Sequence, residues 1–367
     1  MFFGRSTLKK CLRRPFLDIF RQMPTIESEV RFHLKKFNDM GVILLDRINP
    51  VKLKGACKDY LWGGNRLRTE YHQQSGAPKI AETWLLSSHP DGPSTVVSGK
   101  DAGTPFPEWL GQQGRGILGT DCEKFPYFPL LIKLIDAKKK LSIQVHPDDA
   151  YVRAHGGGYG KTEMWYVVDC EPGASLYYGF DHKISKDEFR KRIADNTLEQ
   201  VLNRVPVHAG DVFFIEAGTL HAIGAGILIA EIQQNSNLTY RIYDYGRVDT
   251  NGKTRPLHIA QALDVTRLER PTRPTRPQGG PESLDGFSRR LLASCDIFTV
   301  YEMKIREAAL RADEKSFHSL ICLDGDALVL DRGKPLFAFR KGDSVFVPAG
   351  YGDYVVKGDC RVLHTTV

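Results

Sequence analysis

No run of about eighteen apolar residues occurs in the 367-residue chain, so no membrane-spanning helix is expected. Clustered cysteine is equally lacking. Cys11, Cys57, Cys122, Cys170, Cys295, Cys322 and Cys360 are widely spaced, odd in number and contain no Cys-x-x-Cys pair. That spacing excludes a cysteine–zinc knuckle and a disulfide framework, and it points to a reducing compartment, the cytoplasm. A strong charge of one sign is missing too: 51 Lys and Arg against 44 Asp and Glu leave +7. No dense basic stripe with interleaved aromatics accompanies that excess, which argues against nucleic acid as a partner. Arg5, Lys9, Lys10, Arg13 and Arg14 make the N-terminus basic, but no continuous apolar stretch follows, so a secretory signal is excluded. Apolar residues recur at helical spacing from Glu27 to Met40, and residues 1–45 read as a helical extension.

What is present belongs to a globular protein long enough for two domains: 41% of residues are hydrophobic and 26% charged. After Ile43, short β-branched and aromatic runs alternate with Gly, Pro, Asn and Asp clusters. Examples are 129-PLLIKLIDA-137, 164-MWYVVDC-170, 227-ILIAEIQQ-234 and 344-SVFVPAG-350. The texture is mainly β, a sandwich or barrel. One stretch departs from it. Ser185 stands three residues before Glu188, a capping-box spacing, and predicts a small helical insertion near 185–205. Four prolines in 266-TRLERPTRPTRPQGGPE-282 predict a linker or extended strap. The expected domains are therefore 46–265 and 283–367. The segments 209-AGDVFFIEAG-218 and 341-KGDSVFVPAG-350 echo one another, which suggests two related jelly rolls. The first continues to His221 and the second to Asp353. The chemistry is expected in the first.

In 141-LSIQVHPDD-149, strand alternation sets Ser142, Gln144 and His146 on one face and Ile143 and Val145 on the other. In 160-GKTEMWYVV-168, Lys161, Glu163 and Trp165 again share a face. Gln144, His146, Glu163 and His221 supply an amide oxygen, two imidazoles and one carboxylate. That donor set suits a borderline divalent ion such as Zn2+ with an open position. Lys133, inside the apolar run Leu-Leu-Ile-Lys-Leu-Ile, is expected to face a polar cavity, with burial lowering its pKa.

These segments, with 62-WGGNRL-67, 81-AETW-84, 218-GTLHAIG-224 and 231-EIQQNSNLTYRIYDYGR-247, resemble the type I mannose-6-phosphate isomerases, in the shorter bacterial form built from two cupin domains. The similarity begins near Asn49, and residues 1–45 have no counterpart in it. The resemblance implies one zinc per chain, held by Gln144, His146, Glu163 and His221. It further implies a sugar-phosphate substrate and a monomeric or homodimeric enzyme converting mannose 6-phosphate and fructose 6-phosphate through an enediol. Arg241, Lys133, Lys161 and Glu231 fall on catalytic positions, and Trp62, Glu82 and Ser142 on positions lining the cleft. One departure matters: the family often has Ser-Asp where this chain has Ser236-Asn237. That substitution keeps a non-catalytic sugar-phosphate-binding paralogue in view. Two His and one carboxylate also leave an iron-dependent cupin oxygenase as an alternative.

Overall fold

A computed structural model describes residues 47–248 and 252–367. The expected helical extension, residues 1–45, lies outside them. Asn49–Val367 forms one compact unit built mainly of antiparallel strands.

The first roll is a sandwich of two sheets. Its six-stranded sheet runs in the order Val212–Ile215, Glu163–Cys170, Ile227–Gln234, Leu130–Ala137, Glu82–Ser87, Ala56–Lys58. Its five-stranded sheet runs Tyr240–Tyr243, Ile143–Val145, His221–Ala222, Ser175–Phe180, Leu202–Pro206. Alternation along each strand decides what enters the space between the sheets. Trp165, Val167, Ile229 and Phe213 from one sheet meet Leu176, Tyr178 and Ile223 from the other in one apolar cluster. The outer face of the five-stranded sheet is covered as well. Ile143, Val145, Phe180 and Ile242 pack there with Phe189 and Ala262 of the helices Lys186–Ala194 and Ile259–Val265.

Ser185 caps the first of these helices, accepting from the Glu188 amide at 3.0 Å. The helix ends at Ala194, where Asn196 takes a positive φ of 55°. The remainder of the predicted insertion becomes a 3-10 turn, Leu198–Val201, and an edge strand, Leu202–Pro206. Residues 266–273 run as a strap against the first roll, while the Gln278 and Gly279 amides donate to Leu292 O and Leu291 O and Pro281–Leu284 pairs as an edge strand with Phe287–Ser294. The Arg267 amide donates to Gly218 O at 2.8 Å, and Arg267 and Arg273 both pair with Glu216.

The second roll is one nine-stranded sheet whose longest members are Thr299–Ala312, His318–Asp331 and Gly352–Thr366. Register shifts at Ile305/Glu307 and Cys322/Asp324 let strands of this length bend around a core of Met303, Ile305, Val329, Phe339, Tyr354 and Val356. Two segments from the N-terminal half join this sheet. Val51–Lys54 pairs with Ser344–Val347, and Thr95–Val96 pairs with Val51–Lys54. A boundary at the proline-rich segment therefore divides the chain but not the sheets.

The echoed segments occupy equivalent turns. Gly210 and Gly342 have φ of 93° and 89°, a left-handed backbone that favours glycine. Asp211 accepts from the His208 amide at 2.8 Å, and Asp343 from the Arg340 amide at 3.0 Å.

Candidate metal centre

The inner face of the six-stranded sheet carries a line of charged groups that strand register brings together. Glu231 lies opposite Lys133 on one neighbouring strand and Trp165 on the other. Lys133 lies opposite Trp84, and Glu163 opposite Gln233. From the facing sheet, His221 pairs with Gln144, which also pairs with Arg241. Three strands thus deliver His146, Gln144, His221 and Arg241 toward the glutamates and lysines.

His146, Glu163 and His221 are 1%, 1% and 0% exposed, and their ligand atoms all lie within 4.8 Å of one another. His146 Nε2 is 3.8 Å from Glu163 Oε2, and His221 Nε2 is 3.6 Å from Glu163 Oε1. Each imidazole is oriented from behind. His146 Nδ1 donates to Leu238 O at 2.8 Å and His221 Nδ1 to Thr219 O at 2.9 Å, which leaves both Nε2 lone pairs facing the carboxylate. Burial, reinforced by Lys161, holds His146 well below the usual histidine range, and the same causes push His221 down to about 3. Both rings are therefore neutral ligands at neutral pH. Gln144 Oε1 accepts from Ser142 Oγ at 3.4 Å, and its amide nitrogen is turned to His221 Nε2 at 3.4 Å. Rotation of the amide would present the oxygen expected from the sequence.

The lysines divide between two surroundings. Lys161 Nζ donates to His146 Nε2 at 3.1 Å, to Glu163 Oε2, and to Glu231 Oε1 at 3.2 Å. Lys133 Nζ is 3.5 Å from Glu231 Oε1, 3.8 Å from Glu82 Oε2 and 5.0 Å from the centre of the Trp84 ring. Carboxylates surround it in the buried interior, and the expected fall in pKa is corrected. Burial alone would lower it, yet Glu231, Glu82 and Glu163 outweigh burial and hold the ammonium charged. Glu231 responds in kind: burial opposes its ionisation, and Lys133 and Lys161 overcome that and draw it down to about 2. Burial pushes Glu163 up to about 8 against the pull of Lys161.

A divalent cation fits this donor set. Burial disfavours the Glu163 carboxylate even with Lys161 paired to it, and a cation held beside it would favour the ionised form. Two neutral imidazoles of fixed tautomer, one carboxylate and a reachable amide oxygen complete a nitrogen- and oxygen-rich site.

The rim is cationic. Arg241 Nε donates to Ser142 Oγ at 3.3 Å and its Nη1 to Pro256 O at 3.0 Å. Burial, with Arg255 nearby, lowers its pKa, while Arg247 and Arg255 both bind the buried Asp244. Glu82 accepts from Trp84 Nε1 at 2.7 Å. Trp62 is buried in the sandwich core, with its ring 5.5 Å from that of Tyr60. Tyr60, which sequence reasoning did not select, has its hydroxyl pKa raised by burial and by Glu82 and Asp91, against the pull of Arg255 and Arg241.

Sequence reasoning also passed over most of the segment after Glu231. Gln234 Oε1 accepts from the Thr162 amide at 2.8 Å and its Nε2 donates to Asp149 Oδ1 at 3.0 Å, which fixes the chain between Lys161 and Glu163. Asn235 Nδ2 donates to Phe128 O and Ser88 Oγ, both at 3.0 Å.

Fold and cluster together define a cupin with a buried His-Glu-His group able to hold a metal ion. Residues 51–161 match the model of the phosphomannose isomerase type I catalytic domain, and 289–367 that of the mannose-6-phosphate isomerase cupin domain. A mannose-6-phosphate isomerase of Streptococcus mutans is 38% identical over 86% of this chain and 97% of its own length. The crystal structure of the mannose 6-phosphate isomerase from Bacillus subtilis superposes with a TM-score of 0.81 at 35% identity, covering 87% of this chain and all of that one. A zinc-bound mannose 6-phosphate isomerase shares the fold at 16% identity, with a TM-score of 0.66. The chain belongs to the type I phosphomannose isomerase family.

Proposed function

We propose that this protein interconverts D-mannose 6-phosphate and D-fructose 6-phosphate in the cytoplasm by a zinc-assisted enediol mechanism. The observation that carries the reading is the buried His146–Glu163–His221 cluster flanked by Lys133, Lys161 and Glu231. The relatives named as mannose-6-phosphate isomerases support mannose 6-phosphate as the substrate. Gln144, His146, Glu163 and His221 hold one Zn2+ in the domain 46–265, and 283–367 supports it as a second cupin-like domain. Bound there, zinc supplies Lewis acidity toward the carbonyl and hydroxyl oxygens of the sugar.

The chain's own groups divide the remaining work. An aldose–ketose conversion moves a proton between C2 and C1, and that requires a group able to give and take one. Lys161 is engaged with the ligand set, and Glu231 is pinned between two ammoniums. Lys133, held as an ammonium by Glu231 and Glu82, is the proton donor of that exchange and takes a proton only after giving up its own. Arg241, held by Ser142, takes an anionic oxygen of the substrate. Trp62 forms part of the wall behind the substrate.

Metal content and fructose 6-phosphate formation from mannose 6-phosphate, measured on one sample, test the reading. Stoichiometric zinc with turnover is expected, and activity vanishes when the metal is removed. Full turnover without metal overturns the mechanism. Iron with oxygen uptake would make the protein an oxygenase, and phosphosugar binding without turnover would make it a sensor. Lys133→Ala is expected to lower kcat by about 100-fold or more while zinc is retained.

A further inference from the structure

His146 is oriented by a backbone carbonyl, that of Leu238, so whatever places Leu238 also aims the imidazole. The loop that carries it is fastened to its surroundings residue by residue. Gln233 Nε2 donates to Gln234 O at 2.8 Å, the Asn235 amide donates to Pro129 O at 2.7 Å, and Asn235 Nδ2 reaches Ser88 Oγ. Asn237 continues the series: its Nδ2 donates to Asp91 Oδ2 at 2.9 Å. Leu238, with the carbonyl that receives His146 Nδ1, follows immediately.

The partner loop is firm. The His89 amide donates to Ser87 Oγ at 3.2 Å, the Asp91 amide to His89 Nδ1 at 3.1 Å and the Gly92 amide to His89 O at 3.0 Å. The His89 ring lies edge-on to Trp84 at 5.7 Å, and Lys58, which donates to Asp91 O, sits over the same Trp84 ring at 4.6 Å. Two asparagines, two positions apart, therefore tie the loop bearing Leu238 to an anchored loop on the edge of the six-stranded sheet. The outer tie joins a donor amide to a carboxylate acceptor, and its polarity matters. Two amides can still pair at this distance, whereas two carboxylates facing one another repel.

We infer that Asp91 and Asn237 form a clasp that positions His146 through the Leu238 carbonyl. The clasp rests on the reading of His146 as a metal ligand. Asp91 acts here as a hydrogen-bond acceptor, and its charge is not what the clasp requires. Asn237 as donor and Asp91 as acceptor then form one matched pair. Displacing the Leu238 carbonyl lengthens its bond to Nδ1 and turns the ring, which weakens the hold of Nε2 on the ion.

The test uses zinc-loaded full-length protein and three variants: Asp91→Asn, Asn237→Asp, and both together. Two quantities are read: the rate of zinc loss to excess chelator, and kcat and KM with mannose 6-phosphate. Asp91→Asn keeps an amide pair and is expected within about twofold of the parent in both. Asn237→Asp sets two carboxylates together and is expected to release zinc about three to ten times faster. The double variant restores a donor–acceptor pair with reversed polarity and is expected to return to the parent rate. Unchanged zinc retention in Asn237→Asp, or no rescue in the double variant, overturns the clasp. So does a collapse of kcat in Asp91→Asn at unchanged zinc retention, which would make the Asp91 carboxylate the acting group. If no sample isomerises the sugar but the pattern of zinc release holds, the proposed reaction fails and the clasp stands.

Discussion

At matched places in the two rolls, His221 is fully buried beside Glu163, whereas Asp353 is 80% exposed and pairs with Arg311. The turns that lead there are the same, with a left-handed glycine and an aspartate accepting from the amide three residues before it. The contents differ. The first roll encloses three glutamates, two lysines and two histidines in one cluster linked by nitrogen–oxygen contacts of 3.8 Å or less. The second encloses an apolar cluster that includes Met303, Val329, Phe339 and Val356. Burying charge opposes folding unless each group finds a partner, and burying apolar surface favours it. One roll therefore carries the chemistry, and the other packs in the manner of an ordinary core.

The largest predicted effect separates the two at residue 221. His221→Ala or Glu163→Ala is expected to lose bound zinc and lower kcat/KM by more than about 100-fold, since partners behind a ligand already contribute 10–100-fold. Asp353→Ala, the matched change in the second roll, is expected to leave both unchanged. Metal analysis and the coupled assay on the same preparations check this. Zinc loss in Asp353→Ala would break the comparison.

The next effect belongs to the second roll and appears as acid sensitivity. His318 is buried, its Nδ1 bonds the Tyr354 hydroxyl at 2.8 Å, and the His364 ring lies 4.5 Å away. Burial, only partly offset by Asp313, pushes His318 down to about 4 from its ordinary 6.5. The unfolded chain therefore binds more protons than the fold across that interval. Stability fully present above pH 6.5 is lost as pH falls toward 4, by up to about 3 kcal/mol. Denaturant midpoints measured from pH 7 to 4.5, in metal-loaded parent and His318→Phe, read the slope. An undiminished slope in the variant would assign it elsewhere.

How much of this was legible depends on the range of the interaction. Alternation in a short strand is local, so the opposed faces of Ile143 and Val145 against Ser142, Gln144 and His146 can be read directly; His146, Glu163 and His221 come within 4.8 Å of one another, and the Gln144 amide nitrogen is turned to His221. The structure adds that the apolar face is buried too, beneath two helices. The pKa direction expected for Lys133 is reversed, because the carboxylates that hold it come from strands distant in sequence. Val51–Lys54 could not be assigned to the second roll from its own residues, since its partner Ser344–Val347 is nearly the length of the chain away. The Leu238 carbonyl was invisible for a simpler reason: a backbone acceptor has no side-chain signature. Gln234 and Asn235 sat in the quoted motif, yet their partners Asp149 and Ser88 become evident only in the folded chain.

The smallest predicted effect concerns what the rolls share. Asp211→Ala and Asp343→Ala each remove one side-chain acceptor from the same kind of turn, and each is expected to cost about 1 kcal/mol. Asp343 also lies 3.3 Å from Lys52, on the strand that the N-terminal half contributes to the second roll, so its loss is expected to be larger by a few tenths of a kcal/mol. Asp211 has the His208 imidazole at 3.8 Å, and that ring is largely exposed. Equilibrium unfolding of the two variants and their double tests this, and the two costs are expected to add because the turns sit in separate sheets. Zinc content is expected to be unchanged in all three. A metal-depleted Asp211→Ala would mean that this turn positions the route to His221 as well as starting the strand Val212–Ile215, and the two turns would then no longer be equivalent.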